Sequence, residues 1–574
     1  MKEPATVSGP DVECHQGRNT PSHWFLVTHP AGVTDAVLNH AYPGQGTAES
    51  PFVVDFLPED GSNPQRYSLS KKWIITLFQA LATLAVAFVS TAYSGGVLEI
   101  IRFFHVSTTV AILGLSLFVF GFAIGPLLWA PLSEFYGRQI VFFFTYAGLV
   151  AFNAGAAGAQ NIHALLILRF FAGAFGASPL TNSGGVVADM FDAKERGLAL
   201  CIFAMAPFLG PTLGPISGGF LGEAESWRWV EGLMAILTGI LWIVCSLFVP
   251  ETYAPVILRR RAAQLSKITS KAYVSKMDLS ITTTKAEQIK TTLLRPWVLL
   301  FSEPIVFLTA IYIAIIYGTL YFLFAAFPIV FQQQRGWSAG IGGLAFIGVA
   351  VSMLFAVAIA MVDNKRYLRV AAASPGGRAP PEARLPPAIL GSVLLPVGLF
   401  WFAWTNGAET HWAVPVTASA VFATGLVGVF LSLLTYLVDG YTVFAASALA
   451  ANSVLRSLFG AAFPLFATHM YRDLGVHWAS SVPAFLALAC TPCPLLFYWY
   501  GERIRMRCRY AAEAAAVLEK MHAAHEGQEG TVAVEGGLER AGGQQLLVSE
   551  SRVVSSENDG TVMGDWGEVR EQRK

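Results

Sequence analysis

The chain has 574 residues, 54% of them hydrophobic and 13% charged, with mean hydropathy +0.52 and a formal net charge of zero. A soluble globular chain carries about 25% charged residues, so the composition excludes an ordinary soluble domain and points to a membrane protein. The balanced charge says nothing about partners, and no nucleic acid is expected; what informs is where the charges sit.

Residues 1–70 are polar, mix Pro, Gly, Ser and His, and show no sustained periodicity; they read as a disordered cytosolic N-terminal tail. No apolar segment precedes residue 73, so the first span is expected to act as the membrane-targeting signal. A membrane-crossing helix needs about 20 apolar residues. Twelve such runs follow, at 73–93, 107–129, 140–159, 163–185, 198–221, 230–249, 303–325, 338–361, 386–404, 412–436, 442–468 and 478–499. No Asp, Glu, Lys or Arg lies between Lys72 and Glu99 or between Arg138 and Arg169. The longest gap, Glu251 to Ser302, carries Arg259, Arg260, Arg261, Lys267, Lys271, Lys276, Lys285, Lys290 and Arg295. It divides the chain into an N-terminal six-helix bundle (71–250), a cytosolic basic linker (251–300), a C-terminal six-helix bundle (301–505) and a cytosolic C-terminal tail (506–574). The expected fold class is an all-α membrane protein of twelve transmembrane helices in two six-helix bundles.

Lys and Arg number seventeen in the even-numbered loops and four in the odd-numbered ones. By the positive-inside rule the even loops, and with them both termini, are cytosolic. A weak internal repeat supports pseudo-symmetric halves. Span 4 ends Val187-Ala-Asp189-Met-Phe191 and span 10 ends Leu437-Val-Asp439-Gly-Tyr441; Glu134 and Arg138 follow span 2, as Asp363, Lys365 and Arg366 follow span 8. Two related halves around a midplane site are the architecture of many secondary transporters.

Ala130-Pro-Leu-Ser-Glu134-Phe-Tyr-Gly137-Arg138-Gln139 resembles the loop signature of the major facilitator superfamily: a Gly, then an acid, then Gly-Arg before span 3. Ala130 stands where Gly is usual and Gln139 where a second base is common. Gly137 permits a tight turn; Glu134 and Arg138 are expected to pair with each other or with the neighbouring bundle. With Asp189, Asp363, Arg366 and Asp439 they form the expected cytosolic gate. Arg169 lies inside span 4. A charge there costs at least about 3 kcal/mol on insertion scales, so it is expected either to serve transport or to snorkel to the outer interface. Gly210-Pro211-Thr-Leu-Gly214-Pro215-Ile-Ser-Gly218-Gly219 presents small residues every four positions, a close-packing face, and carries two prolines that remove backbone donors. The run resembles the antiporter motif of twelve-span drug/proton antiporters. Tyr317-Gly-Thr-Leu-Tyr321 in span 7 and Asn452-Ser-Val-Leu-Arg456 in span 11 resemble the fungal branch of that family, over residues 70 to 505. The resemblance implies export of a small organic molecule in exchange for protons, with Arg169 associated with coupling.

Proton coupling needs a titratable group. Span 1 contains no acid; the candidates are Glu231, Glu303, Asp189 and Glu134. Glu231 comes first because it lies in a span beside Trp227-Arg-Trp229, either as the coupling carboxylate or as an interfacial partner of Arg228. Arg456 with Asn452 reads either as a wall facing an anionic or amphipathic cargo or as half of an interhelical ion pair. The chain contains no Gly-Lys dipeptide, so it lacks a phosphate-binding loop and holds no ATPase domain. Six scattered cysteines give no disulfide framework, and eleven histidines form no metal pattern. No enzyme activity, catalytic residue, metal or cofactor is expected, the energy source being a proton gradient. The remaining expectations are a monomer in the lipid bilayer, at the plasma membrane or alternatively the vacuole. The expected cargo is a secondary metabolite, glycolipid or drug. A polyamine or organic acid is the alternative, and a non-transporting sensor the reading from another class.

Overall fold

The computed structural model describes residues 22–517, apart from 193–194, 196–198, 201, 204, 280–283 and 375–378. Among the described residues twelve long helices run from face to face. They are α1 (Leu69–Ala92), α2 (Thr108–Tyr136), α3 (Arg138–Ala157), α4 (Ile162–Met190), α5 (Ala206–Ala224), α6 (Trp227–Phe248), α7 (Pro304–Phe327), α8 (Ile347–Ala373), α9 (Pro386–Thr405), α10 (Ala413–Tyr441), α11 (445–474) and α12 (476–507). The part of span 5 expected before Ala206 falls partly outside the described residues. The face bearing the 251–302 connection is termed the linker side, the other the far side.

Local chemistry sets the helix ends. Ser68, Ser107 and Asn161 cap α1, α2 and α4 by accepting from the N–H of Lys71, Val110 and Ala164. Pro304 and Pro386 occupy first turns, where no donor is missed. α11 meets α12 without a loop: Gly475, at φ +73°, turns the chain in one residue. On the linker side α2, α4, α8 and α10 run beyond the expected ends. Glu134, Asp189 and Asp439 therefore sit on terminal helical turns, and Asp363 and Arg366 about two to three turns inside α8, rather than in loops.

Within the halves α1 packs on α5, α2 on α4, α7 on α11 and α9 on α10; the halves meet where α2 lies on α11 and α5 on α8. The linker side corrects two expectations. Residues 22–68 are not a disordered tail, and the connection is not a plain linker. Strand β1 (Phe52–Val54) pairs in parallel with β2 (Tyr273–Ser275), Phe52 opposite Tyr273. Val37, Tyr42 and Val54 share a core with Leu258, Ala262 and Leu265 of a helix spanning Ala254–Thr269. Arg261, fully buried, pairs with Asp60 at 2.5 Å and donates to the carbonyls of Ala31 and Gly32. Arg259 pairs with Asp278 at 2.7 Å. Part of the basic character that suggests a solvated linker is thus consumed inside a small folded clasp. Residues 513–517, the start of a separate compact unit, are helical, and the rest of the expected C-terminal tail lies outside the described residues.

Candidate transport site

The Gly-Pro run of α5 forms a backbone-to-backbone contact. A Cβ on Gly210 would fall 2.4 Å from the Leu84 carbonyl oxygen, one on Gly214 2.2 Å from Thr91 Oγ1, and one on Gly218 2.1 Å from the Ala92 oxygen. Only glycine lets α5 approach α1 so closely. Pro215 has no N–H to give the carbonyl of Pro211, four residues earlier. Thr91 Oγ1 of α1 donates to that carbonyl at 2.9 Å, so the neighbouring helix supplies the missing donor. Gly219 faces the other half, where its Cβ would lie 2.5 Å from the Ala339 oxygen, and Glu223 accepts from the N–H of Gly340 at 2.9 Å. The same run therefore seals the far-side seam.

Arg169 stands roughly 10 Å into α4 from Ile162, yet it does not snorkel. It is fully buried, donates Nη2 to the carbonyls of Val89 (3.2 Å) and Ser90 (3.5 Å), and lies over the rings of Tyr93 and Phe118. Its Nη1 is 3.9 Å from Glu231 Oε2. Glu231 is 1% exposed, and among the described residues neither of its oxygens has a hydrogen-bond partner. Arg228, the alternative partner read from the sequence, instead donates to the Ala157 carbonyl at 2.8 Å and lies over the Trp227 ring. Trp227 itself is buried against Phe103 and Phe104, while Trp229 is exposed.

From Arg169 the contacts continue across the seam. Ser90, whose carbonyl accepts from Arg169, places its hydroxyl 2.9 Å from Tyr321 OH on α7. Tyr317 OH donates to Tyr321 OH at 3.5 Å, and the Arg456 guanidinium lies 4.9 Å above the Tyr317 ring. Glu231, Arg169, Ser90, Tyr321, Tyr317 and Arg456 thus form one line through α6, α4, α1, α7 and α11. Asn452, one turn before Arg456, is 1% exposed with both amide atoms unpartnered among the described residues. Ser90 is the member that sequence reasoning missed; a serine near the end of an apolar run carries no distinguishing signal.

The linker-side candidates divide differently from expectation. Arg138 does not pair with Glu134, which is exposed and in no ion pair among the described residues. It pairs with Asp189 at 3.5 Å and donates to Ser133 Oγ at 2.5 Å. Gly137, at φ +98°, leaves room for Glu251, whose oxygen a Cβ there would meet at 2.0 Å. Glu251 accepts from the N–H groups of Arg138 (2.9 Å) and Gln139 (3.3 Å), capping α3. In the second half Asp363 pairs with Arg366 at 2.6 Å within α8, while Asp439 pairs with Arg384 at 2.8 Å and accepts from Tyr367 OH. Glu251 and Arg384 were not picked out in the sequence, because their partners are remote along it. Among the described residues every linker-side ion pair lies within one half or within the clasp.

Two helical halves meeting at a seam, with buried charges and tyrosines bridging it, define a polytopic membrane transporter. The sequence model of the Major Facilitator Superfamily matches residues 79–464, and the chain belongs to that family. It is 59% identical to the MFS-type efflux pump MFS2 of Trichophyton rubrum, over 87% of this chain and 84% of that one. It is 60% identical to the major facilitator superfamily multidrug transporter mdrA of Aspergillus fumigatus, over 87% and 82%. The fold is similar to that of the xylose transporter XylE from E. coli, at TM-score 0.55 and 16% identity, over 75% of this chain and 98% of that one.

Proposed function

We propose that this transporter exports a small organic molecule in exchange for protons, exposing a central site alternately to the two faces. The carrying observation is the buried Arg169–Glu231 pair, joined through Ser90 to Tyr321 of the other half. Proton uptake at Glu231 removes the charge that holds Arg169 in place. In a low-dielectric interior that loss changes Arg169's interactions strongly, and Ser90, whose carbonyl accepts from Arg169, makes the contact that crosses the seam through its hydroxyl. Occupancy of Glu231 can therefore bias how the halves sit, without ATP and without a cofactor.

The relatives' names include a multidrug transporter and several efflux pumps, which supports drug or secondary-metabolite export. Two deep arginines oppose a polycation, which sets a neutral, amphipathic or anionic cargo ahead of a polyamine. The charge bias of the loops supports cytosolic termini; the plasma membrane is the proposed location, the vacuolar membrane the alternative, and the monomer the working unit. The test is cargo retention in cells lacking their own pumps, with and without a protonophore. Lower retention that the protonophore and Glu231→Gln both abolish is expected. Unchanged retention of every cargo, with the protein confirmed at the surface, would sink broad drug efflux and leave a narrow natural cargo or a sensor.

A further inference from the structure

The coupling line leaves Arg456 with an unmatched charge. Asn452, Arg456 and Gly460 follow at four-residue intervals, so they share one face of α11. Gly460 shows where that face looks: a Cβ there would meet Tyr317 Cδ1 of α7 at 2.9 Å and Val119 Cγ1 of α2 at 3.1 Å. The stripe faces the seam. Arg456 lies roughly 16 Å, about three turns, into α11 from Ala445. Its guanidinium stands over Tyr317 and Phe430, at 4.9 and 5.4 Å, and Phe430 meets Phe208 of α5 edge-on at 4.7 Å. Tyr317 and Phe430 wall the cation from its own half, and Phe208 of the other half packs against Phe430.

Arg169, the other deep cation, has Glu231. Among the described residues no ion pair includes Arg456. Its Nη2 reaches Ser453 Oγ at 3.3 Å, while its Nε is buried without a partner. One turn away Asn452 holds both amide atoms buried and unpartnered. Deep polar groups normally find partners, and unpaired ones are costly. A ligand that brings acceptors to this face recovers that cost.

We propose that Arg456, with Asn452 beside it, is a subsite for the carboxylate of a cargo whose remaining body is flat and apolar. This rests on the reading of the chain as an exporter. A guanidinium edge matches a planar carboxylate with two parallel hydrogen bonds, and the Asn452 amide can donate a third. One unmatched positive charge among aromatic walls suits a monoanion better than a phosphate dianion, and it repels a cation. Tyr317, Phe430 and Phe208 suit the apolar body.

The experiment compares 2-naphthoate with its methyl ester and its primary amide, molecules alike in shape that differ in the charge. Binding to purified full-length protein is measured by titration calorimetry, and export is measured from pump-deficient cells with and without protonophore. The acid is expected to bind about tenfold more tightly than ester or amide, Arg456→Gln to remove that preference, and Arg456→Lys to retain part of it. Equal binding of acid and ester by the unmodified protein overturns the subsite, as does binding of none of the three. So does an Arg456→Gln protein that elutes as a single species and still prefers the acid. Preference for the acid with export indifferent to protonophore leaves the subsite standing and removes the proton-exchange reading. Protonophore-sensitive export that treats acid and ester alike does the reverse.

Discussion

Thr91 shows how a single hydroxyl is tied to a helix defect. The carbonyl that Pro215 cannot serve belongs to Pro211 and lies inside the α1–α5 contact, where water has no access; Thr91 Oγ1 takes the place of the missing N–H at 2.9 Å. Thr91→Val keeps the shape and removes the donor. It is expected to destabilise by about 1–3 kcal/mol, the cost of an unsatisfied buried acceptor, read as a lower melting temperature in detergent. Thr91→Ser should retain most of the stability. The Gly-Pro run was visible in the sequence; Thr91 was not, because its role depends on a residue on another helix. The same holds along the coupling line. Arg169 and Glu231 stood out as charges in apolar runs, but the partner of each was open, since Arg228 lies only three residues from Glu231. Packing settled it by turning Arg228 toward the Ala157 carbonyl.

At the scale of elements, the clasp is the part that hydropathy could not reveal. Its strands are three residues each, too short to show alternation, and they pair across the whole N-terminal bundle, from Phe52 to Tyr273. Its centre is the Arg261–Asp60 pair, with Arg261 fully buried. Breaking such a pair from one side strands a buried charge and costs about 3–5 kcal/mol. Asp60→Ala is therefore expected to open the clasp selectively. Limited proteolysis should cut near residues 40–60 faster than in the unmodified protein, while the membrane helices stay protected. Equal cutting rates would show that the pair does not hold the clasp. The clasp also grips the N-terminal half, for Gln139 Nε2 donates to the Val27 carbonyl and Arg260 to that of Tyr136. The chain leaving α6 is thus anchored before it reaches α7, which shortens the free connection between the halves.

At the scale of the molecule, the two faces of the seam are held differently. The far side is sealed by close contacts to glycine backbone: Gly219 against Ala339, Gly340 against the Phe220 ring, and Glu223 accepting from the N–H of Gly340. On the linker side no ion pair among the described residues joins one half to the other; each pair lies within its own half or the clasp. If transport separates the halves at the far side, locking that contact must stop it. Phe220→Cys with Gly340→Cys places two thiols where the ring now fills the space a Cβ would take, 2.4 Å from Phe220 Cδ1. Export by this double variant is expected to fall to background on oxidation and to recover on reduction, with each single variant unaffected by oxidant. Export that persists in the cross-linked protein would mean that this contact does not open.

The sequence by itself determined the twelve spans, their division into two halves and the family, because membrane insertion demands long apolar runs that read locally and because the Gly-Pro run is a contiguous motif. It also named Arg169, Glu231, Asn452 and Arg456, since polar groups in apolar runs are costly and stand out, and Tyr317 and Tyr321 through the family resemblance. Only the tertiary structure decided which of them touch. The order from Glu231 to Arg456, the capping of α3 by Glu251, the pairing of Asp439 with Arg384 and the folding of residues 22–68 onto the linker all join residues far apart in the chain. Hydropathy and periodicity describe how a segment meets its solvent; they carry no information on which face of one helix meets which face of another, and that choice is made by close packing.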